Sequence, residues 1–385
     1  MSRVHVEPAL LQWACERSGR SVDELKEKDD FKNLDAWLKG DDESLPTFRQ
    51  LEKFAKATYT PVGYFFLEEP PLERLPVTDF RTMRDSEIAR PSPNLLETIY
   101  LCQQRQDWYR NEANIAGDQP LKFVGSLTTQ VKVIAAASVI RDTIEFDIEQ
   151  RRQEATWTGA LRQFIEQVEA SGILVMVNSV VGYNNHRKLD PEEFRGFALA
   201  DPLAPLIFVN GADTKAAQMF TLAHEVAHIW LNQSGVTNNR TANIPENMNE
   251  RWCNQVAAEL LVPSHLIGKE FKQTDQLLPE VNRLASLFKV SSLVILRRLL
   301  DKSFLDKREF WSAWEATIES LPTRRKEGGG DFFRNVGPKS SKKFARAIVI
   351  STREGRTTYT EAMRLLSLSK VSTLKKYAQF LGVVL

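Results

Sequence analysis

A chain of 385 residues is long enough for two or three domains with cores of their own. Its 42% hydrophobic and 26% charged residues are ordinary for a folded protein. No apolar run approaches the roughly 20 residues that span a bilayer, MSRVHVEPALLQW lacks the pattern of a secretory signal, and the scattered Cys15, Cys102 and Cys253 form neither a disulfide framework nor a CxxC knuckle. A reducing, cytoplasmic setting without membrane contact is therefore expected.

From the N-terminus, residues 1–70 read as short helices. LLQWACERSG, SVDELKEK, LDAWLKG and PTFRQLEKFAKAT space apolar residues three or four apart, with Ser21 and Thr47 at N-cap positions and Gly40 at a helix end. The proline-rich EEPPLERLPV leads into a largely helical connector over 71–160. At residue 172 the texture changes. GILVMV, FRGFALA and PLIFVN are short apolar or alternating runs bounded by Gly, Asn, Asp and Pro, and predict three strands.

The helical period then returns through FTLAHEVAHIW. SGVTNNRTANIPEN reads as a polar loop, and a second helix runs from near Met248 to Pro263. VNRLASLFKVSSLVILRRLLD predicts a helix, a tight turn at residues 289–291 and another helix. GGGDFF marks a break near Gly328, before a small helical unit made of KKFARAIVIS, YTEAMRLLSL and STLKKYAQFLG. From Leu321 onward fourteen Lys and Arg face four Asp and Glu, although the whole chain carries only +1. Such a basic tail can meet nucleic acid, an acidic protein face or only solvent. The expected fold is α+β and mostly helical, with a small sheet of three or more strands. It divides as 1–70 (helical), 71–160 (connector), 161–305 (mixed) and 306–385 (basic, helical).

Residues i and i+4 share one helical face, so His224 and His228 aim two imidazoles at one point. That is the bite a zinc ion needs, with bonds of about 2.0–2.1 Å. Glu225 is rotated about 100° from His224, so it reaches a water beside the metal rather than the metal itself. This HExxH spelling carries a mechanism. A catalytic zinc also needs a third protein ligand and an open position. His5, His186 and His265 are badly spaced for it, which turns attention to the following helix. Glu250 is the favoured ligand, with Asn254 one turn on to fix a ligand imidazole from behind. Glu246 and Cys253 stay as rivals. Glu259 lies about 180° round that helix from Glu250 and is expected to face away, solvated or capped.

AAQMFTLAHEVAHIW followed by NERWCNQVAAELLVP, with EEFRGFALADPLAPLIFVNG before them, resembles the ImmA/IrrE family of zinc metallo-endopeptidases over roughly residues 160–300. The resemblance implies a gluzincin-like site, with His224, His228 and Glu250 on Zn2+ and Glu225 as base and acid. It also implies a protein substrate, a repressor or another regulatory protein, in stress response or mobile-element control. Trp252 stands where the family commonly has a second acidic residue, which removes one rival ligand. LPTFRQLEKFAKATYTPVGYFFLEEPP resembles a Cro/repressor-type (XRE-like) helix-turn-helix. Residues 1–70, however, hold ten Lys and Arg against fourteen Asp and Glu, and KEKDDFKNLDAW offers a recognition helix little to read bases with. LASLFKVSSLVILRRL also mimics a helix-turn-helix, and its apolar residues are better explained by packing.

The mechanism expected is metal-assisted peptide hydrolysis, with an extended substrate adding to a sheet edge supplied by PLIFVN or FRGFALA. Tyr183, His186 and Arg187, in the loop VVGYNNHRKLD, are candidates to stabilise the oxyanion, His186 being the one chosen as a catalytic residue. The alternative is a DNA-binding regulator or antitoxin-like partner that keeps a zinc site but cleaves little. Its DNA contact would run through the N-terminal or the basic C-terminal part.

Overall fold

The computed structural model describes residues 3–80, 90–238, 247–320 and 339–385. The break expected near Gly328, and Glu246, lie outside the described residues. The chain divides into two compact units, Met1–Pro76 with Met83–Ile99, and Val77–Thr82 with Tyr100–Leu385.

The first unit is helical, with α1 (Pro8–Ser18), α2 (Val22–Lys26), α3 (Leu34–Leu38) and α4 (Phe48–Ala57). Ser21 and Thr47 each form a reciprocal capping box, with Glu24 and Gln50, which fixes where α2 and α4 begin. The helices close on a core that includes Leu10, Trp13, Phe31, Leu51, Phe54 and Phe65. Arg17 makes a paired contact with both oxygens of Glu73 at 2.6 and 2.8 Å.

The second unit is built on a five-stranded mixed sheet in the order β1-β5-β3-β4-β2. Its strands are β1 (Thr78–Asp79), β2 (Leu174–Asn178), β3 (Gly196–Leu199), β4 (Leu206–Asn210) and β5 (Gly235–Thr237). β2 and β4 are parallel, β3 is antiparallel to both β4 and β5, and β1 is parallel to β5. Every residue of β3, β4 and β5 is buried, which is why β3 and β4 read as near-continuous apolar runs.

Two expectations about the sheet are corrected. FRGFALA and PLIFVN, as β3 and β4, are interior strands paired on both sides, so neither offers a free edge to a substrate. The start of the stretch read as a polar loop is strand β5, because Gly235, Val236 and Thr237 pack against β3.

Helices follow in the order α5 (Pro93–Ala116), α6 (Val133–Thr143), α7 (Ile148–Gln153), α8 (Trp157–Ala170), α9 (Lys215–Trp230), α10 (Met248–Leu261), α11 (Ser264–Glu270), α12 (Leu277–Phe288), α13 (Ser292–Asp301) and α14 (Lys307–Ser320). Helix α9 lies on β3 and β4 and is flanked by α8 and α10, and α6 covers α10. Helix α9 comes close to the sheet at Gly196. A Cβ there would stand 2.6 Å from Thr221 Cγ2 and 3.1 Å from Glu225 Oε1.

The C-terminal end of α10 is held from three directions. Arg141 donates to the Glu259 carbonyl at 2.9 Å, Arg151 donates to the Leu261 carbonyl, and Arg298 donates to the Val262 carbonyl at 2.9 Å. These guanidiniums satisfy carbonyls that a helix end leaves without intrahelical partners. Between α12 and α13 the tight turn holds Lys289 at φ 51°, and Ser291 caps the second helix. The C-terminal segment forms three helices, Lys342–Arg353, Tyr359–Leu365 and Val371–Phe380. Ser341 ties it to α8 through Glu169, and Lys342 reaches Glu166 at 2.9 Å.

Candidate metal centre

Thr214 caps α9 by accepting the Ala217 N–H. From Thr221 to Trp230 every residue of the helix is buried, because sheet, α8 and α10 surround it. His224, Glu225 and His228 therefore sit in the interior at 0%, 0% and 1% exposure. Buried polar groups of this kind require partners.

The partner comes from α10. Glu250 Oε2 lies 3.2 Å from His224 Nε2, and Glu250 Oε1 lies 2.8 Å from His228 Nε2. The two Nε2 atoms are 2.9 Å apart. Two imidazole nitrogens and a carboxylate thus face one another across a single small gap. Tetrahedral zinc with bonds of about 2.0–2.1 Å places its ligand atoms roughly 3.3 Å apart. The donor set, two nitrogens and one carboxylate oxygen, matches zinc chemistry as well. Burial alone would raise the Glu250 carboxyl, but the His224 and His228 rings more than offset that and bring it down to about 2. Burial lowers the basicity of His224. Burial opposes charge on His228 too, but Cys253 and Glu250 hold that imidazole well above its ordinary value.

Around this trio, Asn254 reaches the His224 ring and Cys253 reaches the His228 ring, although neither Nδ1 makes a well-aligned hydrogen bond. Cys253 is buried and free, behind the ligand ring rather than among the converging atoms. Glu225 turns away from them. Its Oε1 accepts from the Thr237 hydroxyl, and Oε2 has no hydrogen-bond partner among the described residues. Burial pushes the Glu225 carboxyl up to about 8, against the opposing pull of His228 and Thr237. Phe80 stacks on the outer face of His228, with ring centroids 5.2 Å apart and planes 12° apart.

Glu259 faces away from the trio, as expected, and of the two alternatives is capped rather than solvated, at 2% exposure. It is paired with Arg298 and accepts from Ser264 N and Oγ at 3.1 and 2.5 Å. His186 is exposed on the β2–β3 loop and is not one of the converging groups. In that loop Tyr183 lies under Lys339, whose ammonium is 4.9 Å from the ring centroid, and Arg187 is buried.

All four central side chains are at most 2% exposed. Sequence reasoning missed Thr237 and Phe80. The first carried a weak signal, a β-branched pair after glycine in a stretch otherwise polar. The second carried none, because nothing local ties Phe80 to a histidine so far along the chain.

No curated protein matches the chain. A family model described as Domain of unknown function (DUF8813) matches residues 340–380. The peptidase M78 model, described as the IrrE N-terminal-like domain, matches residues 168–300. That segment, which holds His224, Glu225, His228 and Glu250, is similar to metallopeptidases of the IrrE and ImmA type.

Proposed function

We propose that the chain is a zinc-dependent endopeptidase that cleaves a regulatory protein, with residues 161–305 as the working domain. His224, His228 and Glu250 hold the ion, and Asn254 steadies the His224 ring from behind. The observation that carries this reading is the meeting of two Nε2 atoms and a carboxylate at 2.8–3.2 Å, with a second acidic group, Glu225, one residue from a ligand. A bound zinc ion supplies Lewis acidity, which polarises a carbonyl and acidifies water. Glu225 takes the proton released at the attacking water and returns it to the leaving amine. Thr237 holds one Glu225 oxygen and leaves Oε2 for the proton.

The connector 71–160 contributes α6 and α7, which brace α10. The XRE-like 1–70 and the basic 306–385 are assigned to docking the regulatory partner. The resemblance to ImmA/IrrE proteins points to a repressor as that partner.

A second reading, a zinc-holding regulator or antitoxin-like partner with little proteolysis, is favoured by the burial of all four central side chains. In that reading the flanking parts would contact DNA. Glu225→Gln separates the two. Under the peptidase reading the variant keeps its zinc, measured by elemental analysis, and its fold. Processing of cellular proteins in the native host falls by about 10²–10⁴-fold. An unchanged biological output from the variant favours the second reading.

A further inference from the structure

Among the described residues the sheet has two edge strands, β2 and β1. The end of the sheet next to the metal trio is the β5 end, since Thr237 of β5 holds Glu225. An extended peptide that adds to the sheet beside the trio therefore meets β5, and β5 is already covered by β1. This cover is slight. β1 is two residues long, the shortest strand of the sheet, and Thr78 and Asp79 are exposed. One further backbone bond follows, from Phe80 N–H to the Val236 carbonyl at 2.9 Å. A strand this short contributes little independent stability.

The Phe80 ring adds to its hold, half-buried and flat on His228. The place for that ring is prepared. Gly235 has no side chain, and a Cβ there would stand 2.2 Å from Phe80 Cε2.

We propose that Thr78–Phe80 is a strap occupying, within the same chain, the place of an extended substrate, with Phe80 filling the position of an aromatic substrate side chain against His228. The proposal rests on the peptidase reading above and deepens it. The substrate class is an unfolded or extended segment that supplies a main-chain edge to β5 and an aromatic ring to the Gly235–His228 niche. Peptide addition of this kind takes affinity from main-chain bonds and specificity from side-chain pockets. With the strap in this place, substrate enters only when β1 leaves.

The test uses the full chain carrying Glu225→Gln, so that no readout depends on cleavage, with and without Phe80→Ala. Zinc uptake and zinc release to a colorimetric chelator are both timed. A strap in the path predicts that uptake and release accelerate together by about five- to tenfold, the population change produced by loss of one aromatic stack. Zinc affinity then stays within about twofold, since both rates move alike. Gly235→Ala, which keeps Phe80 but expels it from its niche, shifts both rates in the same direction. An excess of the peptide PVTDF slows exchange again in the Phe80→Ala chain, and PVTDA does not.

Faster release with unchanged uptake would mean that Phe80 merely supports His228, and the proposal fails. Unchanged rates, or a peptide without effect, also overturn it. Should Glu225→Gln leave the biological output intact, the peptidase reading falls while these exchange rates still report on the strap.

Discussion

The two ends of α10 each bury a glutamate at 2% exposure, and the two carboxylates do opposite things. At the C-terminal end Glu259 is saturated. Arg298 supplies a fixed cation, and Ser264 supplies two donors. At the N-terminal end Glu250 faces two imidazoles whose Nε2 atoms also face each other. A carboxylate facing two imidazole nitrogens can share a metal cation with them. A carboxylate beside a guanidinium already has a cation. Burial and residue type are equal at the two ends, so the partners alone decide which end is structural and which can bind metal.

Disrupting each end in turn tests this contrast. Glu250→Gln keeps the shape and removes the charge. Zinc affinity is expected to fall by more than about a hundredfold, beyond the loss seen for outer partners of a metal site. Competition with a chelator measures it, and full zinc retention would end the assignment of Glu250. Arg298→Met leaves Glu259 buried without its cation and should cost about 3–5 kcal/mol in urea denaturation. Zinc stoichiometry of the folded fraction should not change.

A smaller effect is expected at a third buried carboxylate, Glu169. Burial pushes it up to about 7, against the Ser341 hydroxyl and Lys342. Its unfolded value is 4.5. Between those values the folded chain holds a proton that the unfolded chain releases, so stability declines as pH rises from 4.5 to 7. Glu169→Gln stays neutral and should gain on the parent across that window by on the order of 2–3 kcal/mol. Denaturation at pH 5 and pH 7.5 reads the difference, and parallel curves would refute it.

Much of this site is legible in the amino-acid sequence. HExxH carries its own geometry, and the change from period two to period 3.6 locates β2, β3, β4, α9 and α10. Glu250 follows from helical spacing on the next helix. Less can be read where partners are distant. Thr237 sits in a stretch whose composition says loop, and only pairing with β3 makes it strand. β1 is too short to show a period, and its Asp79 argues against a strand. Which strands form the edges depends on the order β1-β5-β3-β4-β2, and no local pattern encodes an order. The guanidiniums of Arg141, Arg151 and Arg298 look like solvated surface in the sequence, yet each is aimed at a carbonyl of α10.

That last arrangement bears on how the protein can be dissected. Two of the three clamps, Arg141 and Arg151, precede residue 168, where similarity to known peptidases begins. A fragment trimmed to the recognisable segment would lose both, and of the three guanidiniums only Arg298 would remain on the C-terminal end of α10. Any minimal piece of this chain that keeps all three clamps has to begin upstream of α6.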